Sequence, residues 1–422
     1  MIQKVTPGPR YGTVEIPASK SVAHRLLICA ALYGNGDVLH CDGISRDILA
    51  TINCLISMGA KTEKNGKSLT VTPVSKCGNE YRCLSCGESG STLRFLLPVV
   101  GALGMSGEFQ MEGRLPERPL QPLWDLLENH GMKLRKDGYR LYFSGKLEPG
   151  EYLIPGNISS QYISGLLLAL PLLNSGSILR ITHEIESADY IAITENALET
   201  FNIDFEKRDK RTYLISPAKK YARTPMQLTV ESDWSSAAFF LSIGALSDKG
   251  IVLRNMNTSS GQGDRKILKL LRNFGAEVIE EQDSVSVRKN KLRGQLIDAS
   301  DIPDLVPVLA AVASAAEGQT VIENAERLRL KESDRLETTT EMLQAIGADI
   351  RETGDGLIIQ GKPFLNGGTV KSSNDHRIAM SAAVAASACR APVTITDAEC
   401  TEKSFPGFWD LLSSLKEERE IK

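Results

Sequence analysis

"SSQYISGLLLALPLL", residues 159–173, opens with small polar residues and then becomes apolar on every side. A surface helix would keep a polar face at a period of 3.6 residues. The run Leu166–Leu170 leaves none. Such a helix has to be wrapped on all sides, so the stretch predicts a central, buried helix with a polar start.

The same pattern recurs along the chain. It returns as "SKSVAHRLLICAAL" (19–32), "ESGSTLRFLLPVVGAL" (88–103), "SDWSSAAFFLSIGAL" (232–246), "IPDLVPVLAAVASAA" (302–316) and "SNDHRIAMSAAVAASA" (373–388). Successive copies stand about 70 residues apart, a fixed step that signals structural repeats. A second marker keeps that step. Amphipathic helices end in "LISMGAK" at Gly59, "LLENHGMKL" at Gly131, "LLRNFGAEV" at Gly275 and "MLQAIGADI" at Gly347. "ALETFNIDF" fills the remaining slot, with Asn202 in place of glycine. Gly and Asn accept the left-handed conformation that ends a helix. β-rich pieces such as "SLTVTP", "SVSVRK" and "GLIIQG" follow each of these ends.

The reading is an α/β fold of six repeated α/β units, three per domain. The apolar helix of each unit lies inside and the amphipathic one packs outside. The N-termini of the buried helices then gather at one end of each domain, where their field attracts phosphate and carboxylate.

Bulk properties agree. A chain of 422 residues exceeds one ordinary core, so two or more domains are expected. The hydrophobic fraction is 42%, the charged fraction 24% and the net charge −3. That balance fits a soluble globular protein and argues against a general nucleic-acid coat. The first residues show no apolar signal core, and the longest apolar runs are too short to span a bilayer. Of eight cysteines, Cys77, Cys83 and Cys86 cluster, but no second pair completes a zinc site. Reduced thiols in a cytoplasmic protein, with no metal and no cofactor, are the expectation. The fold calls for no second copy, so a monomer is expected.

The polar starts carry the chemistry. "IPASKSVAHRLL" (16–27) reads as a helix start capped by Ser19 or Ser21. Yet Lys20 stands where the helix field disfavours a cation by roughly 0.3–1 kcal/mol. Arg25 follows one turn later, and the other starts add Ser89, Gly90, Ser91, Arg94, Ser159, Ser160, Gln161, Asp304, His376 and Arg377. Taken singly, each serine is an ordinary cap and each cation a solvated charge. Brought together by the repeat, they form an anion site. "GRLPERPLQPL" (113–123) holds Arg114 and Arg118 between stiffening prolines. "LRLKESDRLETT" (328–339) places Lys331 and Arg335 four apart at a helix start capped by Ser333 or Asp334. Like charges at that spacing repel unless an anion lies between them. Glu332 beside them is a candidate proton donor or acceptor. Lys403 lies in the last loop. The nucleotide loops G-x-x-x-x-G-K-[ST] and G-x-G-x-x-G are both missing, as is the complete G-x-S-x-G elbow.

"PASKSVAHR", "ESGSTLR", "LPERPLQPL", "ISSQYISGLL", "SDWSSAAFF", "DIPDLVP", "LKESDRL", "NDHRIAM" and "TEKSFPGF" together resemble the 5-enolpyruvylshikimate-3-phosphate (EPSP) synthase family, in family order and over nearly the whole chain. The resemblance implies a two-domain inside-out α/β barrel with its active site in the interdomain cleft. The division it implies is a discontinuous domain, 1–19 and 231–422, around an inserted domain, 20–230. It also implies transfer of the enolpyruvyl group of phosphoenolpyruvate to the 5-hydroxyl of shikimate 3-phosphate by addition and elimination, in the shikimate pathway to chorismate and aromatic amino acids.

By the same resemblance, Lys20, Ser21, Arg25, Ser159, Ser160, Gln161, Ser187, Tyr190, Asp304 and Lys331 would hold shikimate 3-phosphate. Lys20, Gly90, Arg118, Gln161, Arg335, His376, Arg377 and Lys403 would hold phosphoenolpyruvate. Asp304 would take the hydroxyl proton. Glu332, helped by a lysine such as Lys20, would protonate the methylene carbon and later deprotonate the methyl group. Gly90 leaves room beside the phosphoenolpyruvate site, so inhibition by glyphosate is expected. Glu88-Ser89 and Arg327 depart from the family's usual Asn-Ala and Asn. The alternatives are a UDP-N-acetylglucosamine enolpyruvyl transferase, which would need a loop cysteine that "GRLPERP" lacks, and a six-repeat binding scaffold without chemistry.

Overall fold

The computed structural model describes residues 1–74, 80–219 and 224–418. The chain forms two compact units. One comprises Met1–Ser19 and Glu231–Lys422, the other Lys20–Val230.

Buried helices run over Lys20–Tyr33, Gly90–Ala102 and Ser160–Ala169 in the second of these, and over Trp234–Ala245, Val306–Ala313 and His376–Ala385 in the first. All six lie where the repeat predicts them. In the Gly90 and Ser160 helices every residue is buried except Ser91 and Gln161, each at the polar start. The Val306 and His376 helices are buried throughout. The Gly90 and Ser160 helices pack on each other in one unit, and the Trp234, Val306 and His376 helices pack on one another in the other.

The middle repeats show the template. Strand Tyr81–Gly87 leads into the Gly90 helix, which returns to a parallel partner, Ser106–Met111. The outer helix Leu123–Asn129 follows. A hairpin, Met132–Asp137 and Arg140–Gly145, then extends the sheet antiparallel. The strands Glu151–Ile154, Ser177–Ile181, Phe205–Asp209 and Thr212–Ile215 repeat this order, as do Leu296–Asp298, Gln319–Glu323, Asp349–Glu352 and Leu357–Gln360. The outer helices end as expected, with positive φ at Gly59 (108°), Gly131 (102°), Asn202 (57°), Gly275 (106°) and Gly347 (93°).

Three repeats borrow a strand from elsewhere in their unit. Ile251–Arg254 takes its parallel partner from Arg10–Glu15, ahead of the inserted segment. Asp37–His40 takes its parallel partner from Gln227–Thr229, at the far end of the inserted segment. Val393–Thr396 takes an antiparallel partner from Ile2–Val5, at the start of the chain. Among the described residues the sheets are six, open, with three to five strands each.

Cys83 and Cys86 share one strand, and three residues along a strand reverse the facing. Cys83 is accordingly exposed and Cys86 buried, a poor grip for one metal ion. Cys77 lies outside the described residues. Among the described residues no cluster of His, Cys, Asp or Glu is fit to hold a metal. None of the described helices is long and apolar enough to cross a membrane.

The Gly90 and Ser160 helices come close together at Gly165. Pro98, buried within the Gly90 helix, has no N–H to give the Arg94 carbonyl one turn back. Gly165 of the neighbouring helix fills that spot, and a Cβ there would sit 2.4 Å from the Arg94 oxygen and 3.0 Å from Pro98 Cγ. Gly165→Ala should therefore destabilise the protein by about 1–3 kcal/mol through overpacking. An unchanged melting temperature would contradict this packing.

Candidate active site

In the Lys20–Val230 unit the polar starts form three linked groups. Arg25 is 2% exposed. It donates from Nε to Thr194 Oγ1 (2.6 Å), from Nη1 to the Ser21 carbonyl (2.7 Å), and from Nη2 to the Tyr190 carbonyl (2.9 Å) and Ser164 Oγ (3.2 Å). Its guanidinium also lies 4.7 Å from the centre of the Phe95 ring. All these partners are neutral, and no carboxylate among the described residues pairs with Arg25. Burial pulls its pKa down to about 10, against the opposing pull of Tyr190 and Cys29. A buried cation without a countercharge is a ready anion contact. Ser187 lies just ahead of the helix Ala188–Thr200 in a left-handed conformation, φ 56°, which is uncommon for a non-glycine residue.

The second group surrounds Gly90. Ser89 caps the Gly90 helix by accepting from Thr92 N. Arg94 Nη1 donates to Gln161 Oε1 (2.9 Å), and Gln161 Nε2 donates to Ser91 Oγ (3.0 Å). The starts of the Gly90 and Ser160 helices are thus tied together. Ser159 caps the latter by accepting from Gln161 N, and Ser160 beside it is buried. A Cβ on Gly90 would fall 2.7 Å from Arg94 Nη1 and 3.0 Å from Arg118 Nη1, so the bare glycine lets two guanidinium groups close in. Arg118 is half-buried, whereas Arg114 is exposed and pairs with Glu117. The third group resolves the misplaced cation. The helix begins at Lys20 itself, and Lys20 Nζ meets Asp47 Oδ2 at 2.8 Å. Asp47, in the first turn of the helix Arg46–Ser57, is a counterion that the sequence reading missed.

In the other unit the set is built round Asp304. It does not cap a long helix but lies in the short turn Pro303–Leu305. Its Oδ1 accepts from Arg335 Nη1 (2.8 Å) and its Oδ2 from Arg377 Nη2 (2.9 Å). Arg377 Nη1 also holds the Asp304 carbonyl, and Lys331 Nζ stands 3.6 Å from Oδ1.

The expected helical face for Lys331 and Arg335 is corrected here. Asp334 is the cap, accepting from Leu336 N and Glu337 N, so the helix starts only at Arg335. Lys331 precedes it in extended backbone. The two cations still converge, and the anion between them is Asp304.

Arg335 is 1% exposed and serves three carboxylates. Besides Asp304 it donates to Glu332 Oε2 (2.7 Å) and, from Nε, to Asp375 Oδ2 (2.8 Å). Asp375 is fully buried, caps the His376 helix by accepting from Arg377 N, and accepts from Ser333 Oγ. It lies inside the "NDHR" stretch but was not singled out from sequence. His376 is buried beside it. Lys403, also buried, donates to the Asn374 carbonyl (2.7 Å). Ser373 and Asn374 both have positive φ, 53° and 56°, a strained turn leading into the helix. Arg327 donates to the Ser300 carbonyl (2.6 Å).

Burial alone would raise the Asp304 carboxyl, and Glu332 adds to that. Arg377, Lys331 and Arg335 outweigh both and hold it well below the usual carboxylate range. Asp264 has the opposite fate. Burial and the charge of Asp304 push it up to about 6, against Arg377 and a hydrogen bond from Ser235. No motif or spacing marked Asp264 in the sequence.

A carboxyl raised in the folded state favours folding while protonated. The penalty is absent below about pH 4 and grows as pH rises to about 6, the window set by the model and folded values. Asp264→Asn removes that titration. Relative to the parent, the variant should gain roughly 2 kcal/mol between pH 4 and pH 7.5. Parallel stability–pH curves from denaturant unfolding would contradict it.

A family model described as EPSP synthase (3-phosphoshikimate 1-carboxyvinyltransferase) matches residues 5–412. A 3-phosphoshikimate 1-carboxyvinyltransferase of Clostridium kluyveri is 43% identical over 414 residues, 97% of this chain and 96% of that protein. One from Clostridioides difficile is 39% identical, covering 96% of this chain and 95% of its own. The structure of an EPSP synthase from Acinetobacter baumannii superposes with a TM-score of 0.79 at 25% identity, over 99% of this chain and 100% of that one. The enolpyruvyl transferase NikO of Streptomyces tendae shares the fold, with a TM-score of 0.76 at 16% identity over 99% of this chain and 97% of its own. The two-domain inside-out α/β fold is common to this chain and the EPSP synthase structures. Similarity along nearly its entire length shows that the chain belongs to the EPSP synthase family.

Proposed function

We propose that the chain transfers the enolpyruvyl group of phosphoenolpyruvate to the 5-hydroxyl of shikimate 3-phosphate and releases phosphate. Asp304 carries this reading: a carboxylate held by Arg335 and Arg377 and approached by Lys331, with the carboxylate Glu332 on the same Arg335. A plain anion trap has no use for carboxylates that compete with its ligand. Carbon protonation and hydroxyl deprotonation require two such groups.

The two substrates carry phosphate and carboxylate charges, and their union needs cations preorganised for both. Arg25, with Ser21, Ser159, Ser160, Ser187, Tyr190 and Lys331, holds shikimate 3-phosphate. Lys20, Gly90, Arg118, Gln161, Arg335, His376, Arg377 and Lys403 hold phosphoenolpyruvate. In the resting protein Asp304 is too well paired to be a strong base. Arriving anions that draw on Arg377 and Lys331 relax that hold and raise its basicity.

Asp304 then takes the hydroxyl proton as the oxygen attacks C2 of phosphoenolpyruvate, while Glu332, in its protonated form, gives a proton to C3. In the elimination Glu332 takes a proton back from the methyl group, and phosphate departs from C2 with the proton that Asp304 took. The seven described cysteines are free thiols, which fits a reducing cytoplasm.

Phosphate release should require both substrates. Release with UDP-N-acetylglucosamine in place of shikimate 3-phosphate, or with neither, would overturn the reading. Asp304→Ala and Glu332→Ala should each lower kcat by about 10²–10⁴ with smaller effects on KM. Wild-type turnover in Asp304→Ala would remove it as the base. Arg118→Ala should chiefly raise the KM for phosphoenolpyruvate, by roughly 10-fold or more. Glyphosate should compete with phosphoenolpyruvate. Gly90→Ala, which crowds Arg94 and Arg118, should weaken both ligands, as steady-state inhibition will show.

A further inference from the structure

Four buried side chains in the Lys20–Val230 unit form a hydrogen-bonded line that the reaction above does not use. His24 Nδ1 meets Thr51 Oγ1 at 2.7 Å, Thr51 Oγ1 meets Thr92 Oγ1 at 2.7 Å, and Thr92 Oγ1 donates to Ser89 Oγ at 2.7 Å. His24, Thr51 and Thr92 are fully buried and Ser89 is 1% exposed. The line joins three helices, those starting at Lys20, Arg46 and Gly90.

Counting protons fixes its direction. A hydroxyl has one proton to give. That of Thr92 goes to Ser89, so Thr92 must accept from Thr51. Thr51 has then spent its own proton and must accept from His24. Nδ1 therefore carries the hydrogen, and Nε2 is left as a bare lone pair. Nε2 is indeed buried without a hydrogen-bond partner among the described residues. That is a cost an apolar residue of similar size would avoid. Burial, with Lys20 and Arg25 adding to it, holds the ring neutral, so His24 is a fixed donor and not a proton shuttle.

The far end of the line is Ser89, which caps the Gly90 helix. The next residue is the one whose missing Cβ admits Arg94 and Arg118. A small shift of Ser89 drives Gly90 against both guanidinium groups.

We propose that His24, acting through Thr51 and Thr92, is a positioning residue that sets the Ser89–Gly90 corner and thereby the placement of Arg94 and the phosphoenolpyruvate contact of Arg118. This rests on the function proposed above, and the corner it names concerns one of the two substrates only.

Three variants test it: Thr51→Val, which keeps shape and cuts the line; His24→Leu, which removes the donor; and His24→Asn, whose amide supplies an N–H in place of Nδ1–H. Thr51→Val and His24→Leu should raise the KM for phosphoenolpyruvate by about 5–20-fold. The KM for shikimate 3-phosphate and kcat should stay within roughly twofold, and His24→Asn within about threefold of the parent throughout. An unchanged phosphoenolpyruvate KM in Thr51→Val, an equal rise in both KM values, or an Asn variant no better than Leu would overturn the proposal. In the parent, ¹⁵N spectra of labelled histidine should show His24 protonated at Nδ1 and bare at Nε2. The opposite tautomer would overturn it independently of any substrate. A parent that releases no phosphate would instead defeat the functional reading and the substrate named with it, while the tautomer would still decide the direction of the line.

Discussion

A helix that is apolar all round tolerates no water on any side, and it admits charge only at its ends. Each of the six buried helices obeys this. In the Gly90 and Ser160 helices the first turn alone keeps contact with solvent, through Ser91 and Gln161. The outer helices and the sheets exist, in physical terms, to cover these rods. Polar chemistry has nowhere else to collect in such a core than at the starts, where backbone N–H groups are unsatisfied and a positive field awaits an anion.

The two units meet that field differently. Round Asp304 the cations Lys331, Arg335 and Arg377 are matched by carboxylates of the same unit, Asp304, Glu332 and Asp375. Round Arg25 the partners are hydroxyls and carbonyls, and the charge is left uncompensated. The first arrangement holds the candidate acid and base groups in fixed positions. The second holds open a demand for negative charge. An enzyme joining two anions has use for both.

Most of the fold is legible in the sequence because its markers are local. Apolar runs, left-handed Gly and Asn, and short β-rich pairs each declare themselves within a dozen residues. Long-range pairings carry no such signature. Thr194 is separated from Arg25 by 169 residues and Asp375 from Arg335 by 40, and no periodicity links them. Asp47 is invisible for the same reason, so Lys20 reads as a cation in a hostile field until the fold brings its partner. The spacing of Lys331 and Arg335 misleads because it assumes a helix already under way at Lys331. Asp334 caps the helix later than that, and the two cations converge by a bend in the chain and not by a shared face.

The borrowed strands bear on how the chain is made. Ile2–Val5 leaves the ribosome long before its partner Val393–Thr396. The inserted segment needs only its own closing strand, Gln227–Thr229, to complete the sheet begun at Asp37–His40. During synthesis the inserted unit is therefore whole while the other waits, its strand Ile2–Val5 an unpaired edge until Val393–Thr396 emerges. Such an edge is open to pairing with the wrong chain. The strand's brevity, four residues with Lys4 and Gln3 among them, limits that hazard.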